Sequence, residues 1–334
     1  MGYSNSRFRA RAKSISHILG ALAFSTILAG QALAEDVVRL GNLKLAHFGA
    51  VSYTSQLGSK CPVKVEERVF AKGTEIMQAI LAGEIDVGAS GSEAAIAARA
   101  GGVPIYIVAG FATGGARFLR RPDLNISTIK ELKGKKVGVT RGGIQEVLLA
   151  AELAQNGLTW SEQGGKDVDI VYLLYPDLNQ ALMAKNLDAI MQTEPQSAQA
   201  VVQGFGVELP RPYDTPIGSP ARTLVMSEKM YDNKAVAAKF MGCFVEATQT
   251  FMKDPALAEK YVTQTMFKGQ VSSEEFKAAI SNAPYSLDIS IEHIQITTDA
   301  MAKYGIAKMT KPALAGEYVK LDLVEAAKKS AGVK

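Results

Sequence analysis

The chain has 334 residues, with 37 Lys and Arg against 33 Asp and Glu and a formal net charge of +4. Arg7, Arg9, Arg11 and Lys13 carry that whole excess within the first 34 positions, which hold no acidic residue, so the rest of the chain is close to neutral. This excludes the simplest basis for nucleic-acid binding, a basic stripe on the domain itself, and no run beyond residue 34 is apolar for long enough to span a membrane.

Residues 1–34 read as a secretory signal peptide. A basic start is followed by an apolar stretch from Ile18 through "LGALAFSTILAG", then by Ala32-Leu33-Ala34, with small residues where a signal peptidase cuts, before Glu35. Gly20, Ser25, Thr26, Gly30 and Gln31 dilute the apolar run, which falls short of the roughly 18–20 residues of a spanning helix. No Cys stands at the cleavage position for a lipid anchor, and no Arg-Arg pair suggests export of a folded protein. The expectation is a periplasmic, soluble chain, long enough for two cores. Of its two cysteines, Cys61 precedes a strand and Cys243 lies in a helical apolar stripe. Export permits a bridge, but the favoured reading is two separate thiols, one of them buried.

From Glu35 the pattern alternates β and α. "VVRLGNL" and "VKVEERVF" read as strands, "TEIMQAILAG" as a helix with Thr74 as N-cap and Gly83 as stop. "IDVGAS" is a short buried strand, "SEAAIAARAG" a helix, and "PIYIVAGF" a strand. The order then restarts: "KKVGVT" as strand, "GIQEVLLAAELAQNG" as helix with Ile144, Val147, Leu148 and Ala151 on one face, "VDIVYLLY" as strand, "DLNQALMAKN" as helix, "LDAIMQ" as strand. Short apolar strands alternating with helices predict an α/β fold with mainly parallel sheets flanked by helices. "QAILAGEIDVGASGS" and "QALMAKNLDAIMQTE" repeat one helix–strand unit 102 residues apart: Gln78/Gln180, Ala79/Ala181, Ala82/Ala184 and Asp86/Asp188 coincide. After the Pro- and Gly-rich "PRPYDTPIGSPAR", "TLVMSEKM" is strand-like. The remainder is helical, with Phe240, Cys243, Phe244, Ala247 and Phe251 as a core stripe, and is expected to cover the first lobe.

In open parallel sheets, ligands bind beyond the carboxyl ends of strands, at helix N-termini. Ser90-Gly91-Ser92 lies at one such end, offering hydroxyls and backbone N–H groups to an anion or polar group, or simply capping a helix. Thr140-Arg141-Gly142-Gly143 lies at another, where Arg141 offers a fork of donors or is a solvated side chain on a tight turn. Gln192 and Glu194 end the repeat in the second lobe; Glu194 accepts from a ligand donor or caps the helix begun by Pro195. His47 and Phe48 follow the first strand, and Phe111 and Tyr175 follow others, giving aromatics among polar donors as in a small-molecule pocket. No cofactor loop, H-E-x-x-H, Cys-x-x-Cys or G-x-S-x-G occurs, and His47 and His293 are too far apart in sequence to suggest a metal site.

The stretches "GTEIMQAILAGEIDVGASGSEAAIAARAGGVPIYIVAG", "ISTIKELKGKKVGVTRGG" and "LDAIMQTEP" together resemble the solute-binding proteins of ABC importers in the nitrate/sulfonate/taurine group, including NMT1-like binders of thiamine pyrimidine precursors. The resemblance covers nearly all of the chain after residue 34. It implies a two-lobed, type II-like periplasmic binding protein fold joined by two crossing segments, around Ala116–Arg120 and Arg222–Met226. Lobe I would comprise 35–115 and 224–334, and lobe II 116–223. It also implies ligand contacts at His47, Phe48, Ser90–Ser92, near Phe111, at Thr140–Gly143 and at Glu194. Sulfonate and taurine binders carry an aromatic before the acidic-Pro pair, where this chain has Thr193.

The implied function is delivery of a small organic solute, a sulfonate, aromatic carboxylate or pyrimidine-like molecule with acceptor and donor groups, to a membrane-embedded permease with a cytoplasmic ATPase. The protein would act as a monomer, without cofactor, nucleic acid or catalysis. The alternatives are an exported enzyme using His47 with Glu194, and a ligand sensor docking to a membrane receptor.

Overall fold

The computed structural model describes residues 36–309 and 311–333; the expected signal peptide lies outside them. Among the described residues no helix is long and apolar enough to cross a membrane.

The described residues form two sheets. The first holds β1 (Val37–Leu43), β2 (Lys64–Phe70), β3 (Val87–Gly91), β4 (Ile105–Thr113) and, from much later in the chain, β11 (Ala221–Ser227), in the order β2-β1-β3-β11-β4. The second holds β5 (Ala116–Arg120), β6 (Lys135–Val139), β7 (Trp160–Ser161), β8 (Val168–Tyr172), β9 (Ala189–Thr193) and β10 (Val207–Glu208), in the order β10-β5-β9-β6-β8-β7. Apart from the extra edge strand β7, the second order read backwards matches the first. In each sheet the strand donated from across the junction, β11 or β5, runs antiparallel to its neighbours.

Four helices lie between strands of the first sheet or follow it: α1 (Gly49–Tyr53), α2 (Gly73–Leu81), α3 (Ser92–Ala100) and, after β11, α7 (Glu228–Asp232). The second sheet carries α4 (Ile144–Gln155), α5 (Tyr175–Met183) and α6 (Gln196–Val202). The last third is α8 (Lys234–Lys253), α9 (Pro255–Lys260), α10 (Ser273–Asn282), α11 (Ile291–Lys303), α12 (Ala315–Tyr318) and α13 (Asp322–Ser330). Its Phe240, Phe244 and Phe251 stripe is buried, as its 3.6-residue spacing predicts. It does not serve the first sheet alone: α10 packs on α6, and Gln203 Nε2 donates to Glu275 Oε1 at 2.7 Å.

The chain passes from β4 to β5 through Gly114 and Gly115, at φ +73° and +78°, a left-handed conformation that favours glycine. It returns between β10 and β11, and β11 pairs in the first sheet from Ala221 onward. The register Arg222↔Gly91 and Thr223↔Ser90 sets the start of β11 beside the end of β3.

The sequence repeat builds the same lock twice. Asp86 accepts the backbone N–H of Arg39 on β1 at 2.9 Å, and Asp188 accepts that of Lys136 on β6 at 2.9 Å. An arginine then braces each carboxylate and the preceding helix end: Arg39 bonds Asp86 and the Gly83 carbonyl, while Arg121 bonds Asp188 and the Lys185 carbonyl. Gly83 and Lys185 both sit at positive φ, +73° and +61°. The amides of Glu84 and Asn186 both close back onto Ala79 and Ala181 at 2.9 Å, the left-handed stop that ends a helix and releases its last carbonyls.

The separate-thiol reading of the cysteines is corrected: Cys61 and Cys243 form a disulfide, with Cα atoms 5.3 Å apart across 182 residues of sequence. The fold brings the segment ahead of β2 onto α8, a proximity no spacing in the sequence encodes.

Inside α4, Glu152 is buried, with one carboxylate oxygen unpartnered. Burial, reinforced by the charge of Asp214, pushes its pKa up to about 7. Relative to an unfolded carboxylate near 4.5, the protonated form favours the fold, so its stabilisation is full below about pH 4.5 and is lost as pH rises through 7. Glu152→Gln should therefore match the parent at pH 4.5 and exceed it by about 3 kcal/mol at pH 8. Urea denaturation at the two pH values measures this; an equal gap at both would refute it.

Candidate functional site

The ends of β3 and β6 face one another through the helices that follow them. Ser90 and Gly91 close β3, α3 begins at Ser92, and all three residues are buried. Ser90 Oγ donates to the Gly91 carbonyl at 2.9 Å, so its hydroxyl has a local partner; Ser92 Oγ has none. A Cβ at Gly91 would push aside the carboxylate of Glu93, which folds back over it. The backbone N–H of Ile144, the first residue of α4, lies near enough to that carboxylate to favour its charged form.

After β6, Gly142 at φ +73° turns the chain into α4 and donates its N–H to Glu146. Thr140 is buried, with Oγ1 unpartnered. Gly143 leaves room for the phenol of Tyr175, which would lie 2.5 Å from a Cβ at that position. Tyr175 donates to Gln145 Oε1 at 2.9 Å, and Gln145 Nε2 donates to the Gly115 carbonyl at 3.4 Å. Burial, and then the nearby Glu93 carboxylate, push the phenol's pKa up, so it remains a donor at neutral pH.

Gly115 is where the two sides meet. A Cβ there would come within 2.9 Å of Arg222 Nη2 and 3.1 Å of His47 Nε2. Arg222 is 3 % exposed and donates to the Gly114 carbonyl. Among the described residues no carboxylate lies within 4.0 Å of it. Burial lowers its pKa from the ordinary value, opposed chiefly by the charge of Glu93. His47 is buried with neither ring nitrogen bonded; burial, and then Arg222, hold it neutral. Its ring packs edge-on against Phe48, which packs edge-on against Phe111. Both phenylalanines belong to the hydrophobic core.

The site is thus a shielded cluster in which His47, Ser92, Glu93 and Thr140 each hold at least one buried polar atom without a partner, next to a buried guanidinium. α3 begins at Ser92 of this cluster and α4 at Ile144, four residues past Thr140, and a helix N-terminus leaves N–H groups free and carries the positive dipole end. Beside the cluster, the Tyr175 ring lines a cavity of about 530 Å³ that also touches Leu43, Phe70, Asn179, Gln199 and Phe267. Such an arrangement suits an anion with further polar groups.

The other expected residues lie differently. Gln192 is buried, but its amide serves the protein: it donates to the Tyr175 carbonyl at 2.9 Å and to Asn179 at 3.1 Å, and accepts from Thr193 N. Glu194 is fully buried, with one oxygen held by Arg117 at 2.6 Å and Asn282 at 2.9 Å and the other by Ala198 N at 3.0 Å. The pairing of Glu194 with His47 entertained for catalysis is not assembled. Arg141 is exposed, stacked 3.6 Å over Tyr172 and paired with Glu162. Glu93 and Arg222 were not picked out by sequence; their signal was a charge at the edge of an apolar run, "GSEAAIAA" and "ARTLVM". Among the described residues no group of three or more His, Cys, Asp or Glu is placed to hold a metal ion.

A family model described as the NMT1-like family matches residues 38–265. A Brachyspira hyodysenteriae protein named as an ABC transporter periplasmic binding protein is 23% identical, with 81% of this chain and 83% of that protein covered. The alkanesulfonate-binding protein SsuA of Xanthomonas axonopodis pv. citri, solved bound to MOPS, superposes with a TM-score of 0.72 at 21% identity, over 86% of this chain and 99% of that one. The periplasmic aliphatic sulphonate binding protein SsuA of Escherichia coli gives 0.73 at 20% identity, over 87% and 100%. These solved structures have the periplasmic binding protein fold, and so does this chain.

Proposed function

The chain belongs to the NMT1-like family, and we propose that it is the periplasmic solute-binding component of an ABC importer, not an enzyme, taking up a small organic anion between two lobes. The lobes are built on the two sheets, with crossings between β4 and β5 and between β10 and β11. Solute binds one lobe, and the other rotates about the crossings to enclose it. Closure is favoured only by contacts made in the closed state, and the N-termini of α3 and α4, one from each side, are suited to that task. The protein acts as a monomer that hands its cargo to a membrane permease.

One observation carries the reading: Arg222, buried at the junction with no carboxylate partner, converges on Gly115 with the unpartnered His47 Nε2 and is paired in register with Gly91, next to the unpartnered Ser92 hydroxyl. A buried charge is costly unless compensated, and an anionic solute supplies the compensation.

The test begins with a thermal-shift screen against sulfonates, aromatic acids, pyrimidines and amines, since a solute that binds only the folded state raises Tm. Arg222→Met is then compared by calorimetry. Because burying a cation is itself unfavourable, the variant should fold within about 1 kcal/mol of the parent. It should bind the hit at least 30-fold more weakly, about 2 kcal/mol, the worth of a charged hydrogen bond. A screen with no hits, or a variant of unchanged affinity, would sink the reading.

A further inference from the structure

Glu93 is an unusual residue to find in an anion site. It is 6 % exposed, and its Oε2 has no partner. The charged and titratable groups around it are Arg222 on β11 and Tyr175 on α5, with neutral His47 beyond Arg222. No ion pair joins Glu93 to Arg222, although each is the other's main opposing charge. A buried carboxyl folded over Gly91 and a buried guanidinium on the strand residue paired with Gly91 therefore lie close together without an ion pair between them. A simple anion would satisfy Arg222 and be repelled by Glu93; a simple amine would do the reverse. A dipolar solute, anionic at one end and a donor at the other, answers both.

Resting on the binding reading above, we propose that Glu93 is the specificity-determining residue of the site: its free oxygen accepts a hydrogen bond from an ammonium or N–H group of a solute whose anionic end lies on Arg222. Burial pushes the Glu93 carboxyl up to about 7, against the pull of Arg222 and the Ile144 N–H. An ammonium at Oε2 favours the carboxylate and lowers that pKa. Binding of such a solute then releases a proton near pH 6.5, and affinity rises between pH 6 and 8. For an anion lacking a donor the sign reverses.

Matched probes test this on the mature chain by calorimetry: 2-aminoethanesulfonate against ethanesulfonate, and β-alanine against propionate. In at least one pair the amine-bearing member should bind tenfold tighter or better, and Glu93→Gln should reduce that preference below threefold. Titrations of the parent protein in phosphate and in imidazole, which differ in ionisation enthalpy, should count the released proton without relying on any variant. The assignment is overturned by a preference that survives Glu93→Gln, by an amine-free probe bound equally well, by proton uptake, or by a best-binding solute that lacks any donor while all four probes fail. If no solute of any class binds, the importer reading itself has failed.

Discussion

Arg117→Ala should destabilise the protein by about 3–5 kcal/mol, the cost of breaking a buried ion pair and leaving the other charge unpaired. Arg117 is 4 % exposed and donates to Glu194 at 2.6 Å, to Glu208 at 2.6 Å and to the Ala278 carbonyl at 2.8 Å. It thereby ties β5 to β9, to β10 and to α10, and Asn282 of α10 closes the ring on Glu194. The two carboxylates raise the arginine's pKa despite its burial, so it carries its charge at every pH at which the fold survives. The removal strands a fully buried carboxylate, and that explains the size of the effect. Adding Glu194→Gln to Arg117→Ala should therefore recover part of the loss. Urea denaturation of the two single variants and the double closes the cycle. A single-variant cost under about 1 kcal/mol, or strict additivity, would contradict the account.

Loss of the Cys61–Cys243 bridge should cost about 2–5 kcal/mol. Releasing a cross-link across 182 residues restores much configurational freedom to the unfolded chain, about 5 kcal/mol as an upper figure from loop closure. Reduction exposes no new core, since both residues stay packed, so the folded protein should keep its secondary structure and lose several degrees of Tm. Thermal unfolding with and without dithiothreitol, alongside thiol quantification, measures this. An unchanged Tm after complete reduction would refute it.

The order of the main strands and helices was legible in the sequence because it rests on local signals: strands of five to nine residues, and glycines ending helices between them. The crossings expected at "GARFLRR" and "ARTLVM" rest on the family resemblance and not on a local signal. Less legible was which charge turns inward. Arg141, set among glycines, reads as a ligand group, yet Tyr172 and Glu162 give it partners at the surface. Arg222 reads as one polar residue in a strand, and its isolation depends on Gly91, Gly115 and His47, all more than 100 residues away. Glu194 reads as a free acceptor because Arg117 and Asn282 approach it from distant segments. Local propensity is written along the chain, whereas the pairing of buried charges is a property of tertiary contact. For the same reason nothing in the spacing of Cys61 and Cys243 announced their bond.

The paired locks at Asp86 and Asp188 share no partner: one engages Arg39 and Gly83, the other Arg121 and Lys185. Independent sites combine additively, so each helix–strand unit behaves as an interchangeable socket whose frame tolerates change in the loop it carries. "GASGS" and "IMQTE" sit just past those sockets. Their free energies should be separable, and a library varying one while the other is held constant would explore recognition without re-solving the fold.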